Sequence, residues 1–241
     1  MNRRFKEIIL TSVCLLALSD GAYAQLQDNL EVNIFGGGSF YTRTKFEIGF
    51  PQSATPIQGT FSLSQAWRGG VRVGVYDRGH WSEEFFYSYD PSVAHFTRLS
   101  TPSRSSVNLG LSVNNYGITS LYYFHDDEAK HVRPFLSIGV GGTAYLLSSE
   151  AEAIARDPLR GNLPGISNSN LLSLNYGAGV KVRSSNWLGF RVDVRGFLGP
   201  NPSFGLAHHS DDPNAPVFPA GGALNNGEAS AGLIFYFFNR R

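Results

Sequence analysis

The stretch LAHHSDD, residues 206–212, holds the side chains of this sequence that are best suited to catalysis. His208 could act as a general base and Ser210 as a nucleophile, as in acyl-transfer enzymes. Asp211 or Asp212 would then supply the carboxylate that orients the imidazole. The surrounding segment is rich in proline, asparagine and glycine, a composition typical of loops. Because short motif matches are weak, we interpret the stretch as a solvated polar loop and predict that the protein is not an enzyme.

The same stretch supplies metal-ligand types, in His208, His209, Asp211 and Asp212. Neighbouring residues of one loop do not by themselves fix a tetrahedral geometry, so we predict no metal ion and no cofactor. The glycines at 36–38 could suggest a phosphate-binding loop, but the sequence around them alternates as a strand and no helix follows. We interpret them as positions where a strand bends or packs closely against a large neighbour.

Residues 1–24 have the layout of a secretory signal peptide. A positively charged start, MNRRFK, is followed by an apolar run at 8–18 and by the small-residue motif AYA at 22–24. The apolar run is too short to cross a bilayer as a helix, which needs about 20 residues. We therefore predict cleavage after this motif, leaving residues 25–241 as one mature domain.

The composition of the mature chain excludes several function classes. It has no net charge, so it offers no basic surface that would favour nucleic acid. It also has no cysteine, because Cys14 lies in the predicted signal peptide, and this excludes disulfides and thiol chemistry. Aromatic residues make up 13% of the chain and 27 residues are glycine, which favours β structure.

Alternation of apolar and polar residues predicts eight strands, near 31–41, 66–76, 81–89, 107–124, 132–145, 171–183, 188–198 and 226–238. Their connections alternate between long loops (42–65, 90–106, 146–170 and 199–225) and short turns (77–80, 125–131 and 184–187). This order predicts an all-β fold, an eight-stranded antiparallel up-and-down transmembrane β-barrel with short periplasmic turns and long extracellular loops. No helical segment is predicted that could cover a sheet edge, so the first and last strands must pair with each other.

The stretch GFRVDVRGF, residues 189–197, indicates which side of each strand faces the lumen. Its apolar side chains alternate with Arg191, Asp193 and Arg195. An arginine at mid-depth on the lipid face would cost about 2–4 kcal/mol, so the charged side must face the lumen. Because a charge buried in a narrow barrel needs a partner, we predict a lumen charge cluster. Its members are Arg72, Glu84, Lys181, Arg191, Asp193 and Arg195, with Asp193 and Glu84 pairing with the four cations.

Two features remain open in this interpretation. Glu83 and Glu84 are adjacent, so one of them must face lipid unless the strand has a bulge or the position lies near the interface. Aromatic residues near the short turns predict one interfacial girdle, made of Trp81, Tyr122, Tyr123, Trp187, Phe235 and Phe237.

Four stretches resemble the small eight-stranded outer-membrane β-barrel family, which shares its fold with the OmpA membrane domain and the opacity-type surface proteins. They are VRPFLSIGVGGTAY (132–145), LNYGAGVKV (174–182), LGFRVDVRGF (188–197) and EASAGLIFYF (228–237). The resemblance implies a bacterial outer-membrane protein that contacts outer-membrane lipid and lipopolysaccharide. It also implies recognition by the barrel-assembly machinery.

We expect a structural or surface-interaction role, in which the four long loops bind an extracellular ligand. One alternative is a small pore or a transporter of hydrophobic solutes. A second alternative is a lipid A-modifying enzyme, since lipid A deacylases with the same barrel use His, Ser and an acidic residue.

Overall fold

The computed structural model describes residues 30–42, 44–48, 57–76, 79–98, 106–125, 131–157, 165–205 and 223–237. The predicted signal peptide and the stretch LAHHSDD lie outside the described residues. The strands are β1 (Leu30–Tyr41), β2 (Thr44–Ile48), β3 (Ile57–Leu63), β4 (Trp67–Tyr76), β5 (Trp81–Arg98), β6 (Ser106–Tyr123), β7 (Val132–Leu147), β8 (Ser169–Arg183), β9 (Leu188–Pro200) and β10 (Ala223–Phe237). One helix, α1 (Ser149–Arg156), lies between β7 and β8.

Eight of these strands close into an antiparallel barrel, which confirms the predicted fold class. β2 and β3 are not part of the ring, so β1 pairs with β4. From β4 to β10, each strand pairs with the strand that follows it in the chain. The ring closes where β10 pairs back to β1, from Leu30 opposite Phe237 to Tyr41 opposite Asn226. The first and last strands therefore have no free edge in the barrel wall.

The alternation predicted for the wall is present in the structure. On β9 the side chains of Phe190, Val192 and Val194 are exposed on the outer surface, whereas Arg191 and Arg195 are buried inside. Other barrel strands repeat this arrangement, with apolar residues outside and polar or charged residues inside. This is the side-chain distribution of a barrel surrounded by lipid.

The predicted loops 42–65 and 90–106 contain strands that the sequence analysis did not predict. In the segment 42–65, β2 and β3 form a hairpin, and β3 continues the sheet by pairing with the outer part of β5, from Ala94 to Arg98. β5 is 18 residues long and continues to Arg98, well beyond its predicted end at residue 89, whereas the bounds of β6 lie within one residue of the predicted 107–124. The barrel wall therefore continues on the long-loop side as a sheet.

β5 continues through Pro91, a residue that would be expected to end the strand. Proline is normally excluded from sheet interiors because it cannot donate a backbone hydrogen bond. Pro91 and Val93 are two residues apart, so their backbone polar groups face the same edge of β5. At that edge the carbonyl of Val93 accepts a hydrogen bond from the backbone N–H of Ser64, which follows β3. Along this edge of β5, pairing with β4 ends at Tyr89 and pairing with β3 begins at Ala94. The missing N–H of Pro91 thus falls in a gap between two partner strands and removes no hydrogen bond.

The helix α1 corrects the expectation that the chain offers no helical segment. Ser148 caps it by accepting a hydrogen bond from the backbone N–H of Ala151 at 3.1 Å. Glu150 and Glu152 lie in the first turn, where negative charge is favourable. A serine cap followed by acidic residues could have indicated the helix from sequence. No helix in the described part of the chain is long and apolar enough to cross a membrane.

The helix packs into an apolar cluster inside the barrel at the end that carries the long loops, which we call the outer end. There it buries Ala151 and Ala155. The other buried members come from β3, β5, β6, β7, β10 and the segments around β8 and β9: Leu63, Ala94, Leu109, Leu111, Val113, Tyr145, Leu147, Ile166, Phe204 and Leu224. The interior is thus apolar at its outer end and charged below it.

Candidate functional site

The middle of the lumen contains a balanced network of buried charges. Among the described residues, five basic and five acidic side chains are buried: Arg68, Arg72, Lys181, Arg191 and Arg195, with Glu31, Glu84, Asp90, Asp193 and Glu228. Six barrel strands contribute to this set, which we call the lumen network. Inward-facing positions recur every second residue in a strand, so a pattern such as R-x-D-x-R places three charges in one column.

Glu84 and Asp193 form the centre of the lumen network, and each binds the same two arginines. The carboxylate of Glu84 accepts hydrogen bonds from Arg191 through Oε2 and from Arg195 through Oε1. Oδ2 of Asp193 accepts from Arg191 Nη2 at 2.9 Å and from Arg195 Nε at 3.1 Å. Two carboxylates and two guanidinium groups therefore alternate around a closed square, in which every charge has two opposite neighbours.

Arg72 connects this square to β10. Its Nη2 donates to Glu228 Oε1 at 2.6 Å, and its Nη1 lies 3.3 Å from Asp193 Oδ1. Its Nε is 3.9 Å from Glu84 Oε1. Ser230 donates to Asp193 Oδ1 at 2.8 Å and so occupies a further acceptor site of that carboxylate.

A further pair lies closer to the long-loop end and is connected to the centre through Glu228, whose Oε2 is 3.7 Å from Arg68 Nη1. Arg68 Nη2 is 3.0 Å from Asp90 Oδ2 and also donates to Asn226 at 2.7 Å. The hydroxyl of Tyr41 donates to the same Asp90 oxygen at 2.5 Å. Both charged side chains are fully buried, so this pair is shielded from water on all sides.

The structure places all six predicted cluster residues inside the lumen and brings five of them together. Lys181 differs from the prediction, because its ammonium group pairs with Glu31 of β1 and not with Glu84 or Asp193. A count of residues from the nearest turn places Lys181 at about the same depth as the arginines, but such a count ignores the stagger between neighbouring strands of a tilted barrel. That stagger brings Lys181 to the level of the start of β1.

Four members of the lumen network were not included in the predicted cluster: Glu31, Arg68, Asp90 and Glu228. Because side chains alternate between the two faces of a strand, Arg68 must face the same way as Arg72, and Glu228 must face the lumen opposite the apolar residues of β10. Both could have been included in the cluster from this alternation alone. Asp90 was missed because the predicted β5 ended one residue earlier.

Aromatic rings fill the space around the buried cations. The guanidinium carbon of Arg72 lies 3.6 Å from the ring centre of Phe35, and that of Arg191 lies 4.6 Å from Phe135. Arg195 lies over Phe86 at 5.5 Å. Cation–π contacts of this kind are stronger where water is excluded, so the rings both fill the lumen and stabilise the charges.

The structure also shows which of the two adjacent glutamates faces inward. Glu84 is buried, and Glu83 lies on the outer surface. β5 pairs with β6 without interruption from Trp81 to Thr97, so there is no bulge. Glu83 lies two residues from the turn-side end of β5, where it accepts hydrogen bonds from Ser120 at 2.8 and 3.0 Å. A position near the interface therefore accounts for this charge.

Most of the predicted girdle residues are exposed near the short turns, but Tyr123 is not. Trp81, Tyr122, Trp187 and Phe237 are exposed. The side chain of Tyr123 is buried in the lumen, where the guanidinium of Arg133 stacks over its ring at 4.0 Å. Tyr122 and Tyr123 are adjacent in one strand and must point to opposite faces, so only one of them can belong to the girdle.

A scan against protein-family profiles finds no match, and a search of curated proteins finds no relative. Solved structures do match. The outer-membrane protein OprG from Pseudomonas aeruginosa superimposes with a TM-score of 0.52 at 11% identity, covering 88% of this chain and 97% of that one. The chain has the fold of the small outer-membrane β-barrels. The outer-membrane protein AlkL, determined in lipid bilayers, is similar in the same way, with a TM-score of 0.50 at 16% identity, covering 88% of this chain and 91% of that one.

In this outer-membrane-type barrel, the lumen network can act as a fixed scaffold of charges. Each of its carboxylates contacts at least one cation. The part of the chain with assigned structure contains no group of three or more His, Cys, Asp or Glu residues arranged to hold a metal ion. The geometry therefore suits holding the barrel together and obstructing its lumen.

Proposed function

We propose that the protein is an outer-membrane barrel with a closed lumen, which presents its outer end as an interaction surface. The lumen network carries this proposal. Arginines from β4 and β9 reach across the barrel to carboxylates on β5 and β10, and rings occupy the gaps between them. The apolar cluster around α1 forms a second obstruction at the outer end. A solute would have to disrupt both layers to pass.

The outer end supports a role in surface interaction. The hairpin of β2 and β3 extends the sheet beside β5, and β5 and β6 continue past the part of the wall that β4 covers. This sheet and α1 give the long loops a rigid base, which is how binding loops are positioned in many proteins. We propose that the loops bind an extracellular ligand, and that no catalysis is involved.

Conductance measurements test the closed lumen. After reconstitution into planar bilayers, we expect no steady, reproducible unitary current steps, because charges and rings occupy the lumen. A general porin serves as the positive control, and heat-modifiable gel migration establishes that the inserted protein is folded. Reproducible unitary steps from folded protein would overturn the proposal in favour of a pore or transporter.

Loop shortening tests the surface role. Cells that display the full protein should adhere to matrix proteins or host cells, and cells that display the barrel with residues 206–222 replaced by a short Gly-Ser turn should adhere less. Equal adherence at equal surface levels would contradict a role for that loop.

The placement in the membrane has its own test. We propose export by a signal peptide of residues 1–24, insertion by the barrel-assembly machinery and residence among outer-membrane lipid and lipopolysaccharide. The mature protein should be recovered in the outer-membrane fraction, and its amino-terminal sequence should start at Gln25. A start at Met1, or recovery in the soluble fraction, would contradict this proposal.

A further inference from the structure

A groove of about 800 Å³ lies on the outer wall of the barrel, across β6, β7 and β8. Its sides carry the exposed apolar residues Ile118, Val140 and Leu172. Phe85 of β5 borders it on one side. The volume falls within the range of about 300–1,000 Å³ that is usual for small-molecule sites. The groove is continuous with the apolar outer surface of the barrel.

Glycines form the floor of this groove. Gly117 of β6 and Gly141 of β7 are directly opposite each other in the strand register. A Cβ added at Gly117 would lie 2.6 Å from the Cα of Gly141, and one added at Gly141 would lie 2.9 Å from the Cα of Gly117. The two backbones approach so closely that neither position tolerates a side chain, so the wall at this one pair of residues is bare backbone.

The end of the groove nearest the long loops is polar. The hydroxyl of Tyr116 donates to Asn170 Oδ1 at 2.9 Å, and the ring of Tyr116 covers Gly142. Asn170 is the second residue of β8, which begins on the long-loop side. Its amide nitrogen has no hydrogen-bond partner among the residues that the structure describes, so it can donate to a ligand. Towards the short turns, the lining is apolar, with Phe85 and Ile118.

We propose that this groove holds one acyl chain of lipid A, the lipid of the outer leaflet. The proposal rests on the membrane placement argued above and goes beyond it by naming a lipid and a site. An outer-leaflet lipid has its head group on the long-loop side and its chains directed towards the middle of the bilayer. The groove is arranged in the same direction, with its polar end towards the long loops and its apolar end towards the short turns. The Asn170 amide is therefore placed to donate to a carbonyl or hydroxyl group at the head-group end of the acyl chain.

Native mass spectrometry of the detergent-extracted protein tests this site. We expect the wild-type protein to retain one lipid A molecule when lipid A and phospholipid are supplied together. Val140→Trp fills the groove and should reduce the retained fraction about tenfold, equivalent to ~1.4 kcal/mol. Asn170→Leu removes the donor and should give a smaller loss in the same direction.

Val192→Trp is the matched control, because Val140 and Val192 are exposed to 59% and 61% on the same outer surface and only Val140 lines the groove. This variant should retain lipid A as the wild type does. Equal retention by both tryptophan variants, no retention by the wild type, or equal retention of phospholipid would each overturn the proposal. If the folded barrel still resides in the outer membrane in those cases, only the lipid site has failed and the proposed function stands.

Discussion

Replacement of Glu84 by glutamine is expected to lower the free energy of unfolding by about 3–5 kcal/mol. The carboxylate of Glu84 binds two buried guanidinium groups, those of Arg191 and Arg195. The amide keeps the shape of the side chain but loses its charge, so two desolvated cations are left with one shared carboxylate, Asp193. Urea unfolding in detergent micelles, followed by tryptophan fluorescence, measures the loss. The temperature at which the folded gel band disappears should fall in parallel.

Glu83→Gln provides the control, because the two residues are neighbours with identical side chains. Glu83 is exposed, and its partner is the hydroxyl of Ser120 rather than a buried charge. Removal of an exposed charge of this kind changes stability by at most about 1 kcal/mol. Equal effects of the two substitutions would show that the lumen network does not stabilise the barrel.

Replacement of Gly37 by alanine is expected to cost more than about 3 kcal/mol, the upper end of the usual overpacking range. The new methyl group would overlap the carbonyl oxygen of Ala229 and lie 2.7 Å from the Cα of Ser230. These are backbone atoms of β10, so the clash cannot be relieved by rotating a side chain. Relief would require β1 and β10 to separate at the pairing that closes the barrel. We expect a reduced yield of the heat-modifiable form on refolding into micelles.

The flanking glycines give two controls in the same three-residue run. A Cβ at Gly36 or at Gly38 would meet no atom closer than 4.0 Å. Glycine inside a strand costs about 0.5–1 kcal/mol relative to alanine, so Gly36→Ala and Gly38→Ala should be neutral or stabilising. If all three substitutions have the same effect, close contact between β1 and β10 is not the reason for the central glycine.

The run of glycines shows what could be predicted from the sequence and what could not. Its composition indicates a strand that bends or packs closely, and this interpretation does not require the partner strand. Which of the three positions is in contact depends on the register between β1 and β10, whose pairing residues are nearly 200 positions apart in the chain. That register results from closure of the whole barrel, and no local pattern encodes it.

The same distinction applies to the lumen. The direction in which Arg191 points follows from alternation, which is a property of a single strand. The partner of Lys181 depends on the stagger between strands, and residue counts from the turns do not measure it. The length of β5 depends on a gap between β4 and β3 that accommodates Pro91. Alternation therefore predicted the orientation of side chains well, whereas contacts between strands required the structure.

The lumen network also constrains the order of events in assembly. Glu84 and Arg195 are 111 residues apart in the chain and lie on strands that are not neighbours in the wall. An open sheet would expose this charged face, and hydrocarbon cannot solvate it. Neutralisation needs strands from both ends of the chain, since Arg72 of β4 pairs with Glu228 of β10. We therefore expect bilayer insertion to be coupled to ring closure, because the charged face is neutralised only when strands from both ends of the chain are in place.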